Sequence, residues 1–374
     1  MRILVAGGGV SGLASAVALG ARGHHVLVLE QRPVLTEGGA GVRLAPPAFR
    51  LLDRLGVGDA VRDRSLVIDG FRIMDGASGE LVSSIALPAR HGDGRATHAT
   101  AHRLDVYEPL LEACWELEAV RLCADSRVVG YTEHGESVVA TLADGRSVTG
   151  DALILSGAAR SVVRHDPRWS GLRALRPRLA VYHTVIPMEL VADRWQDGAA
   201  TCWVGAEWHV AHYPLPDSRY LSLSATRHHH VGADHVGADL DGADLDGARV
   251  DLEHVLGAFP EIGYAARNVL TMGRDWRVRT VPDRAAASGR VRGRVALVGE
   301  SAEPAGPLEA SGLHQALEDA VGLGASWDAS EGDALRWLAD FDSRRGAGRG
   351  ADRDAGRGAD RAPDVPAGCG SARR

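Results

Sequence analysis

The spacing of apolar residues changes twice within the first thirty positions of the chain. Residues 3–6 are all apolar, as in a short strand buried inside a parallel sheet. Residues 13–19 are rich in leucine, valine and alanine and predict a helix, which Gly20 and Gly23 end. Residues 25–29 return to the pattern of an apolar strand. The chain is therefore predicted to begin with a strand, a helix and a second strand.

Three glycines connect the first strand to the helix in a G-x-G-x-x-G pattern. Gly7 permits a sharp turn, Gly9 has no side chain to block a pyrophosphate, and Gly12 lets the helix pack closely on the strand. Glu30 follows about 20 residues later, where a carboxylate accepts ribose hydroxyls and repels a 2′-phosphate. The pattern predicts a dinucleotide such as FAD or NAD without separating the two. A purely structural strand-to-helix turn is the alternative interpretation.

Two later segments repeat the passage from an apolar strand into a turn of small residues. Residues 152–155 lead into Gly157 and Ala158, and residues 295–298 lead into Gly299. A helix is predicted after the second of these turns.

Composition and charge narrow the class of protein. The chain has 374 residues, of which 45% are apolar and 24% charged, which is typical of a globular protein with room for two domains. No apolar run approaches the ~18 residues that span a bilayer. The net charge of −7 and the absence of a basic face argue against nucleic acid as a partner. We expect a cytoplasmic enzyme without stable membrane association, either a monomer or a homodimer.

Three further features bear on metals and order. The cysteines show no C-x-x-C spacing, so neither a disulfide nor a zinc site is expected; they are Cys114, Cys123, Cys202 and Cys369. Three histidines at residues 228–230 lead into the low-complexity stretch 231–250, and a solvated loop is a better interpretation of them than a metal site. Residues 346–374 repeat arginine, glycine, alanine and aspartate and are predicted to be a disordered tail.

Five stretches, taken in chain order, resemble the flavin-dependent aromatic monooxygenases of the p-hydroxybenzoate hydroxylase fold, and among them the salicylate-hydroxylase-like branch. The stretches are the glycine turn with Glu30 and residues 39–44, 102–105, 161–164 and 293–319. Further similarity to this branch is found at residues 203–205, 209–214 and 276–284. The resemblance extends over nearly the whole chain.

This resemblance implies an α/β fold in which a Rossmann-like FAD-binding domain carries an inserted β-sheet substrate domain. The FAD-binding domain would comprise residues 1–70, 91–171 and 277–345. The substrate domain would comprise residues 71–90 and 172–276. The active site is expected where the two domains meet.

The resemblance also implies the chemistry. NAD(P)H, bound only transiently, would reduce FAD, and the reduced flavin and O2 would hydroxylate or epoxidise an aromatic or polyketide-like small molecule in secondary metabolism. The residues that would bind the cofactor are Gly7, Gly9, Gly12, Glu30, Arg32, Gly41, Val42, Arg103, Glu300, Pro307 and Gly312.

The chain departs from the family pattern around the flavin. Gly157 and Ala158 stand where the family has Asp-Gly, and Glu300 replaces an aspartate. Glu300 keeps the charge and can still accept ribityl hydroxyls, although its side chain is one methylene longer. Glu303 stands where a histidine is typical. Partly desolvated, its carboxyl group would have a raised pKa and could act as an acid or base, or it could form a structural salt bridge.

Three further residues are candidates for the chemistry. His209 and Tyr213 lie four residues apart in an alternating strand, so both would point toward one cavity. His209 suits phenol deprotonation and Tyr213 suits substrate orientation, with a structural sheet histidine as the alternative. Arg43 could bind a substrate carboxylate bidentately or face solvent. His212 falls on the opposite face and is expected to be structural.

Two other functions remain compatible with the altered motifs. One is a non-oxidative cyclase or isomerase on the same scaffold, in which Glu303 and His209 act as acid and base and flavin is structural or absent. The other is a catalytically silent binding protein descended from the family. Both depend on the departures around the flavin ring.

Overall fold

Two large sheets organise the chain. The computed structural model describes residues 1–36, 41–87, 98–157, 162, 166, 168–169, 177–228, 247–282, 289–302, 311–330 and 332–359. One large sheet has six strands and the other eight, and two smaller sheets of three strands complete the set within these residues. Helices lie beside both large sheets, as the predicted α/β fold requires.

Twenty strands are found among the described residues. In chain order the strands are β1 Arg2–Ala6, β2 His25–Leu29, β3 Gly41–Leu44, β4 Leu66–Val67, β5 Gly70–Asp75, β6 Leu81–Ala86, β7 Ala99–His102, β8 Val120–Cys123, β9 Val128–His134, β10 Ser137–Leu142, β11 Ser147–Gly150, β12 Ala152–Ser156, β13 Pro177–Pro187, β14 Ala199–Val204, β15 Trp208–Pro214, β16 Tyr220–His228, β17 Ala248–Val250, β18 Trp276–Pro282, β19 Val291–Arg292 and β20 Val295–Val298.

Helices and short 3-10 turns connect these strands. The helices are α1 Val10–Gly20, α2 Pro46–Arg54, α3 Gly58–Asp63, α4 Arg103–Glu116, α5 Leu252–Ala258, α6 Tyr264–Thr271, α7 Ser311–Asp328 and α8 Ala334–Ala359. The 3-10 turns are Met188–Leu190, Asp193–Trp195, Pro216–Ser218 and Gly299–Ser301. No helix among the described residues is long and apolar enough to cross a membrane.

The six-stranded sheet has the order β19-β20-β12-β1-β2-β8 and is parallel from β20 to β8. Its central strand β1 is covered on both faces. Ile3 and Val5 belong to a core that includes residues of α1, α4, α7 and α8, whereas Leu4 packs with residues of β10 such as Val138. The continuous apolar run at residues 3–6 follows from this burial on both sides.

The eight-stranded sheet has the order β17-β18-β13-β16-β15-β14-β5-β6 and is antiparallel except between β14 and β5. Residues of one face, among them Val210 and Leu223, pack with residues of α5 and α6. The other face carries His209, Ala211 and Tyr213 and is called the His209 face below. Along β13, half-buried and buried residues alternate from Val181 to Ile186, so the His209 face is the less covered of the two.

Two sequence-based boundaries need correction. The predicted substrate domain stopped at residue 276, but β18 runs to Pro282 and pairs with β13 and β17, because Trp276 and Val278 belong to the core of the large sheet. Residues 248–250 of the predicted loop 231–250 form β17 on the edge of the same sheet, and residues 231–246 lie outside the described residues.

The predicted disordered tail is also partly wrong. Helix α8 continues through Ala359, beyond the predicted start of disorder at residue 346. The first turns of α8 are anchored by Trp337, Leu338 and Phe341, each completely buried. Residues 346–359 include five glycines, which are poor helix formers, so this extension of the helix does not follow from the local sequence.

His212 lies on the helix-covered face, opposite Thr201 and Leu223, as the alternation of the strand predicts. It is 2% exposed, and neither ring nitrogen has a hydrogen-bond partner among the described residues. Burial lowers the pKa of His212 to about 4, and the opposing charges of nearby Asp197 and Arg72 act in opposite directions. The ring is therefore neutral at physiological pH.

This neutral histidine predicts a loss of stability in mild acid. Below its ordinary pKa of about 6.5, the unfolded chain binds a proton at His212 that the folded chain excludes until about pH 4. The free energy of unfolding should therefore fall between these two pH values, by up to roughly 3 kcal/mol from this group. Urea unfolding followed by circular dichroism across this range measures the slope.

The variant His212→Leu should show a shallower pH dependence than the wild-type protein, because it removes the titrating group. His25→Leu, which changes an exposed histidine in β2, serves as the matched control. An equal slope in His212→Leu and wild type would contradict the assignment.

Candidate active site

The glycine turn between β1 and α1 is shaped by close backbone contacts. Gly7 has φ +111°, and a Cβ on Gly7 would lie 2.8 Å from the carbonyl oxygen of Ser156. A Cβ on Gly12 would lie only 1.9 Å from the carbonyl oxygen of Gly7. Gly9 precedes the first residue of α1, so backbone N–H groups at the helix start can face an anion.

Glu30 is held inside this turn. Its side chain is 6% exposed, with Oε2 accepting a hydrogen bond from the Gly8 N–H at 2.6 Å and Oε1 accepting one from the Arg32 N–H at 2.9 Å. Each carboxylate oxygen has a further lone pair that can accept a ribose hydroxyl. The Arg32 side chain donates to the Thr36 carbonyl oxygen at 2.8 Å, which orders the segment after Glu30. These residues fit the adenosine and pyrophosphate parts of a dinucleotide.

A minimal test of the turn is Gly12→Ala. The added Cβ cannot be placed without moving Gly7 or α1, so purified Gly12→Ala should retain much less flavin than the wild-type protein, as measured by its visible absorbance. Gly257→Ala in α5 is the matched control, because a Cβ there meets nothing within 4 Å. Full flavin retention by Gly12→Ala would show that the cofactor phosphates bind elsewhere.

A second turn, Gly299–Ser301, rests on the start of α1. Gly299 has φ +59°, and a Cβ there would lie 2.7 Å from the Ser11 hydroxyl oxygen. Its N–H donates to Asp319 Oδ2 at 2.7 Å. The turn is therefore held by two helices: α7, which carries Asp319, and α1, which carries Ser11.

Asp319 connects this turn to two arginines in a buried charge network. Arg290 Nη1 donates to both carboxylate oxygens of Asp319, at 2.6 and 2.8 Å, and Arg345 Nε lies 2.7 Å from Asp319 Oδ1. Burial raises the pKa of Asp319, and the two arginines oppose that rise. Sequence reasoning missed the roles of Arg290 and Arg345, since ionic partners separated in sequence leave no periodic signal.

Glu300 points from the same turn toward the eight-stranded sheet. Both of its carboxylate oxygens lie 3.1 Å from Nη1 of Arg279 in β18. The two side chains are 24% and 30% exposed. Glu300 therefore lies at a contact between the turn after β20 and the eight-stranded sheet.

Strand β3 makes a second contact with that sheet. A Cβ on Gly41 would lie 2.5 Å from the Ser222 hydroxyl oxygen and 2.9 Å from Tyr213 Cε2. Val42 pairs with Ala101 of β7, and the Arg43 guanidinium carbon lies 5.4 Å from the centre of the Phe71 ring. The absence of a side chain at Gly41 is what allows β3 to approach the His209 face.

Strand β7 secures the same contact from its other side. The Thr100 hydroxyl donates to the Pro214 carbonyl oxygen at 2.6 Å, at the end of β15. Arg103 is the first residue of α4, and the preceding His102 N–H donates to Asp105 Oδ2 at 2.8 Å to cap that helix. Arg103 is thus placed near the contact between the two sheets.

His209 and Tyr213 share the His209 face, as predicted. The sheet register places Tyr213 opposite Ser222 and His209 opposite Thr226, and all four side chains are buried. Burial raises the pKa of the Tyr213 hydroxyl, and a hydrogen bond with Ser222 and the charge of Arg43 partly oppose this rise. Tyr213 therefore carries its proton at neutral pH and can act as a hydrogen-bond donor.

The residues of the sheet that lie between His209 and Tyr213 are less buried than these two. Ala211 pairs with Ser224, and Ser224 pairs with His183; these three residues, called the central row, are half-buried. Within β15 the other residues are buried, so Ala211 is a small, partly exposed position between His209 and Tyr213. Four residues of a strand separate His209 from Tyr213 by about 13 Å, enough for one aromatic ring with its substituents.

The structure groups many of the described site candidates in three places. The first is the glycine turn with Glu30 and Arg32. The second is the contact of Gly41 and Arg43 with Tyr213, and the third is the turn with Glu300. Gly312 is the second residue of α7. Glu303, Pro307 and Ala158 lie outside the described residues, as do residues 39–40, 161, 163–164 and 303–310 of the family-like stretches.

Comparison with known proteins places this site in context. The family profile "FAD binding domain" matches residues 1–174. A 3-hydroxybenzoate 6-hydroxylase of Klebsiella oxytoca is 32% identical over 349 residues, covering 92% of this chain and 84% of that protein. A 3-amino-4-hydroxybenzoate 2-monooxygenase of Streptomyces cremeus is 30% identical, covering 92% and 83%. A salicylate hydroxylase substrate complex shares the fold, with a TM-score of 0.76 and 22% identity over 98% of this chain and 90% of that chain.

The family profile and the two relatives identify a flavoprotein monooxygenase, an oxidoreductase that uses FAD with NAD(P)H and O2. The chain belongs to the family of FAD-dependent aromatic monooxygenases. The similarity to named hydroxylases along most of the chain does not favour the non-oxidative alternative.

Proposed function

We propose that this monooxygenase hydroxylates an aromatic ring that bears both a phenolic hydroxyl and a carboxylate. Relatives named for hydroxybenzoate substrates support this substrate class. The observation that carries the proposal is the partly exposed central row, flanked by His209 on one side and by Tyr213 and Arg43 on the other. A candidate base, a hydroxyl donor and a guanidinium thus border the half-buried central row, in which Ala211 and Ser224 have small side chains.

The carboxylate end of the substrate is assigned to Arg43. Its guanidinium stacks near Phe71, and its charge acts on both Tyr213 and Cys202, so it lies at the edge of the His209 face. A guanidinium can donate two parallel hydrogen bonds to one carboxylate. The protonated Tyr213 hydroxyl adds a neutral donor beside it.

The hydroxyl end is assigned to His209, across the central row. A neutral imidazole there accepts the phenolic proton, which increases the electron density of the ring. Ala211 and Ser224 form the floor on which the ring lies, and their small side chains leave it room. The buried flanking rows exclude water from both edges of the ring.

FAD, when bound, supplies the oxidising chemistry with O2 after reduction by NAD(P)H. We assign its adenosine and pyrophosphate to the glycine turn with Gly7, Gly9, Gly12 and Glu30, its ribityl chain to Glu300, and its ring side to Gly41, Val42 and Arg103. Arg32 and Gly312 are assigned to the same cofactor. Glu303 and Pro307, outside the described residues, remain proposed members of the site.

The enzyme is further proposed to work in the cytoplasm as a monomer or homodimer without stable membrane association. The net charge and the absence of long apolar runs support this proposal. Size-exclusion chromatography with light scattering would determine the oligomeric state.

The direct test of function uses purified protein. The visible spectrum should show bound flavin, and NADH or NADPH oxidation should be stimulated by 3-hydroxybenzoate or an amino-hydroxybenzoate. Chromatography should detect a hydroxylated product. Flavin-bound protein that forms no oxygenated product from any hydroxybenzoate would overturn the proposed substrate class.

Replacing the proposed base gives a residue-level prediction. His209→Asn should lower product formation by about a hundredfold or more, because general-base assistance typically contributes that much. Flavin retention should remain at the wild-type level. Product measured against NAD(P)H consumed would show whether reduction continues without hydroxylation, and wild-type product formation by His209→Asn would exclude His209 as the base.

Replacing Arg43, the proposed partner of the substrate carboxylate, gives a second prediction. Arg43→Met should raise KM for a hydroxybenzoate by about tenfold or more, since a charge-assisted hydrogen bond to a buried group is lost. The same variant should change KM much less for a phenol that lacks the carboxylate. Equal effects on both compounds would indicate that Arg43 supports the fold of the site and does not recognise the carboxylate.

A further inference from the structure

Arg279 of the eight-stranded sheet and Glu300 of the turn Gly299–Ser301 form an ion pair between these two parts of the chain. In the sheet register, Arg279 lies opposite Val181, Val181 opposite Thr226, and Thr226 opposite His209. Arg279 is therefore in the same row as His209, three strands away, or about 14 Å at the usual strand spacing. The ion pair of Arg279 with Glu300 therefore lies in register with His209, three strands away from it.

The ion pair of Arg279 with Glu300 is partly buried. Nη1 of Arg279 lies 3.1 Å from each carboxylate oxygen of Glu300. Because the side chains are only 30% and 24% exposed, solvent and salt screen this pair less than a surface pair. A single nitrogen approaches both oxygens, so a compact cation can in principle replace the guanidinium.

The position of Glu300 explains why it needs a cation. Gly299, its neighbour, packs against Ser11 in the first turn of α1, where the phosphates of a dinucleotide are expected. A carboxylate without a partner at this place would repel those phosphates. Arg279 cancels that charge and fixes the carboxylate where it can accept hydroxyl groups.

We propose that Arg279 is a positioning residue that acts through Glu300, so that FAD binding depends on a residue of the eight-stranded sheet. This inference rests on the proposed assignment of Glu300 to the ribityl chain. The ion pair is a second contact between the eight-stranded sheet and a proposed cofactor-binding segment. The first contact is that of Gly41 with Ser222 and Tyr213, at the opposite end of the site. The longer glutamate, in place of aspartate, is what spans the distance to β18.

Arg277 provides a matched control in the same strand. It is two residues from Arg279 and lies on the same face, but its Nη1 donates to the Gly247 carbonyl oxygen at 2.9 Å. Removing this guanidinium alters the charge of β18 equally without touching the turn at Gly299–Ser301.

The test is a double-mutant cycle on FAD affinity. Apoprotein prepared from each variant is titrated with FAD, and Kd is measured from the quenching of flavin fluorescence. Arg279→Met and Glu300→Gln should each weaken FAD binding by about tenfold, the usual effect of losing one charge-assisted hydrogen bond. The double variant should bind FAD no more weakly than Glu300→Gln alone, because Arg279 acts through Glu300.

Two further measurements separate positioning from a general structural role. Arg279→Lys should recover most of the affinity, and the visible spectrum of bound flavin should shift in Arg279→Met but not in Arg277→Met. An Arg279→Met affinity equal to that of Arg277→Met, or additive effects in the double variant, would overturn the proposal.

The outcomes also distinguish this inference from the proposed function. Unchanged FAD affinity in Glu300→Gln would overturn both the ribityl assignment and the role of Arg279. Coupled loss of affinity in the cycle would support the role of Arg279 even if the wild-type enzyme formed no product from a hydroxybenzoate.

Discussion

The proposed active site depends on the close approach of β3 to the eight-stranded sheet. Strand β3 belongs to a different, three-stranded sheet. Gly41 makes this approach possible, because a Cβ there would overlap Ser222 and Tyr213. The hydrogen bond from Thr100 to the Pro214 carbonyl oxygen then holds the neighbouring strand against the end of β15. Arg43 owes its place beside Tyr213 and Phe71 to this contact.

The turn that carries Glu300 is supported by a network of buried charges, which costs desolvation free energy. Asp319, Arg290 and Arg345 place charged groups in the interior, where desolvation is offset only if each charge keeps its partners. Asp319 also accepts the Gly299 N–H, so the network fixes the backbone of the turn directly. Breaking such a buried group typically costs about 3–5 kcal/mol, which makes the turn rigid as well as vulnerable.

The two faces of the eight-stranded sheet show how one strand serves both stability and chemistry. On one face, Val210 and Leu223 pack with α5 and α6, and His212 is buried without a charge. On the other face, His209 and Tyr213 flank the half-buried central row. Alternation along β15 therefore separates a structural histidine from a candidate base by three positions.

The nucleotide-binding end can be predicted from the amino-acid sequence, because a glycine turn, its strands and Glu30 are local features with a fixed spacing. The shared face of His209 and Tyr213 can be predicted as well, since the period of a strand is two residues. Three contacts are visible only in the folded chain: Gly41 with Ser222, Glu300 with Arg279, and Asp319 with Arg290 and Arg345. Those partners come from distant segments, and their approach depends on how the sheets pack and which charges share the interior, neither of which leaves a periodic signal in the chain.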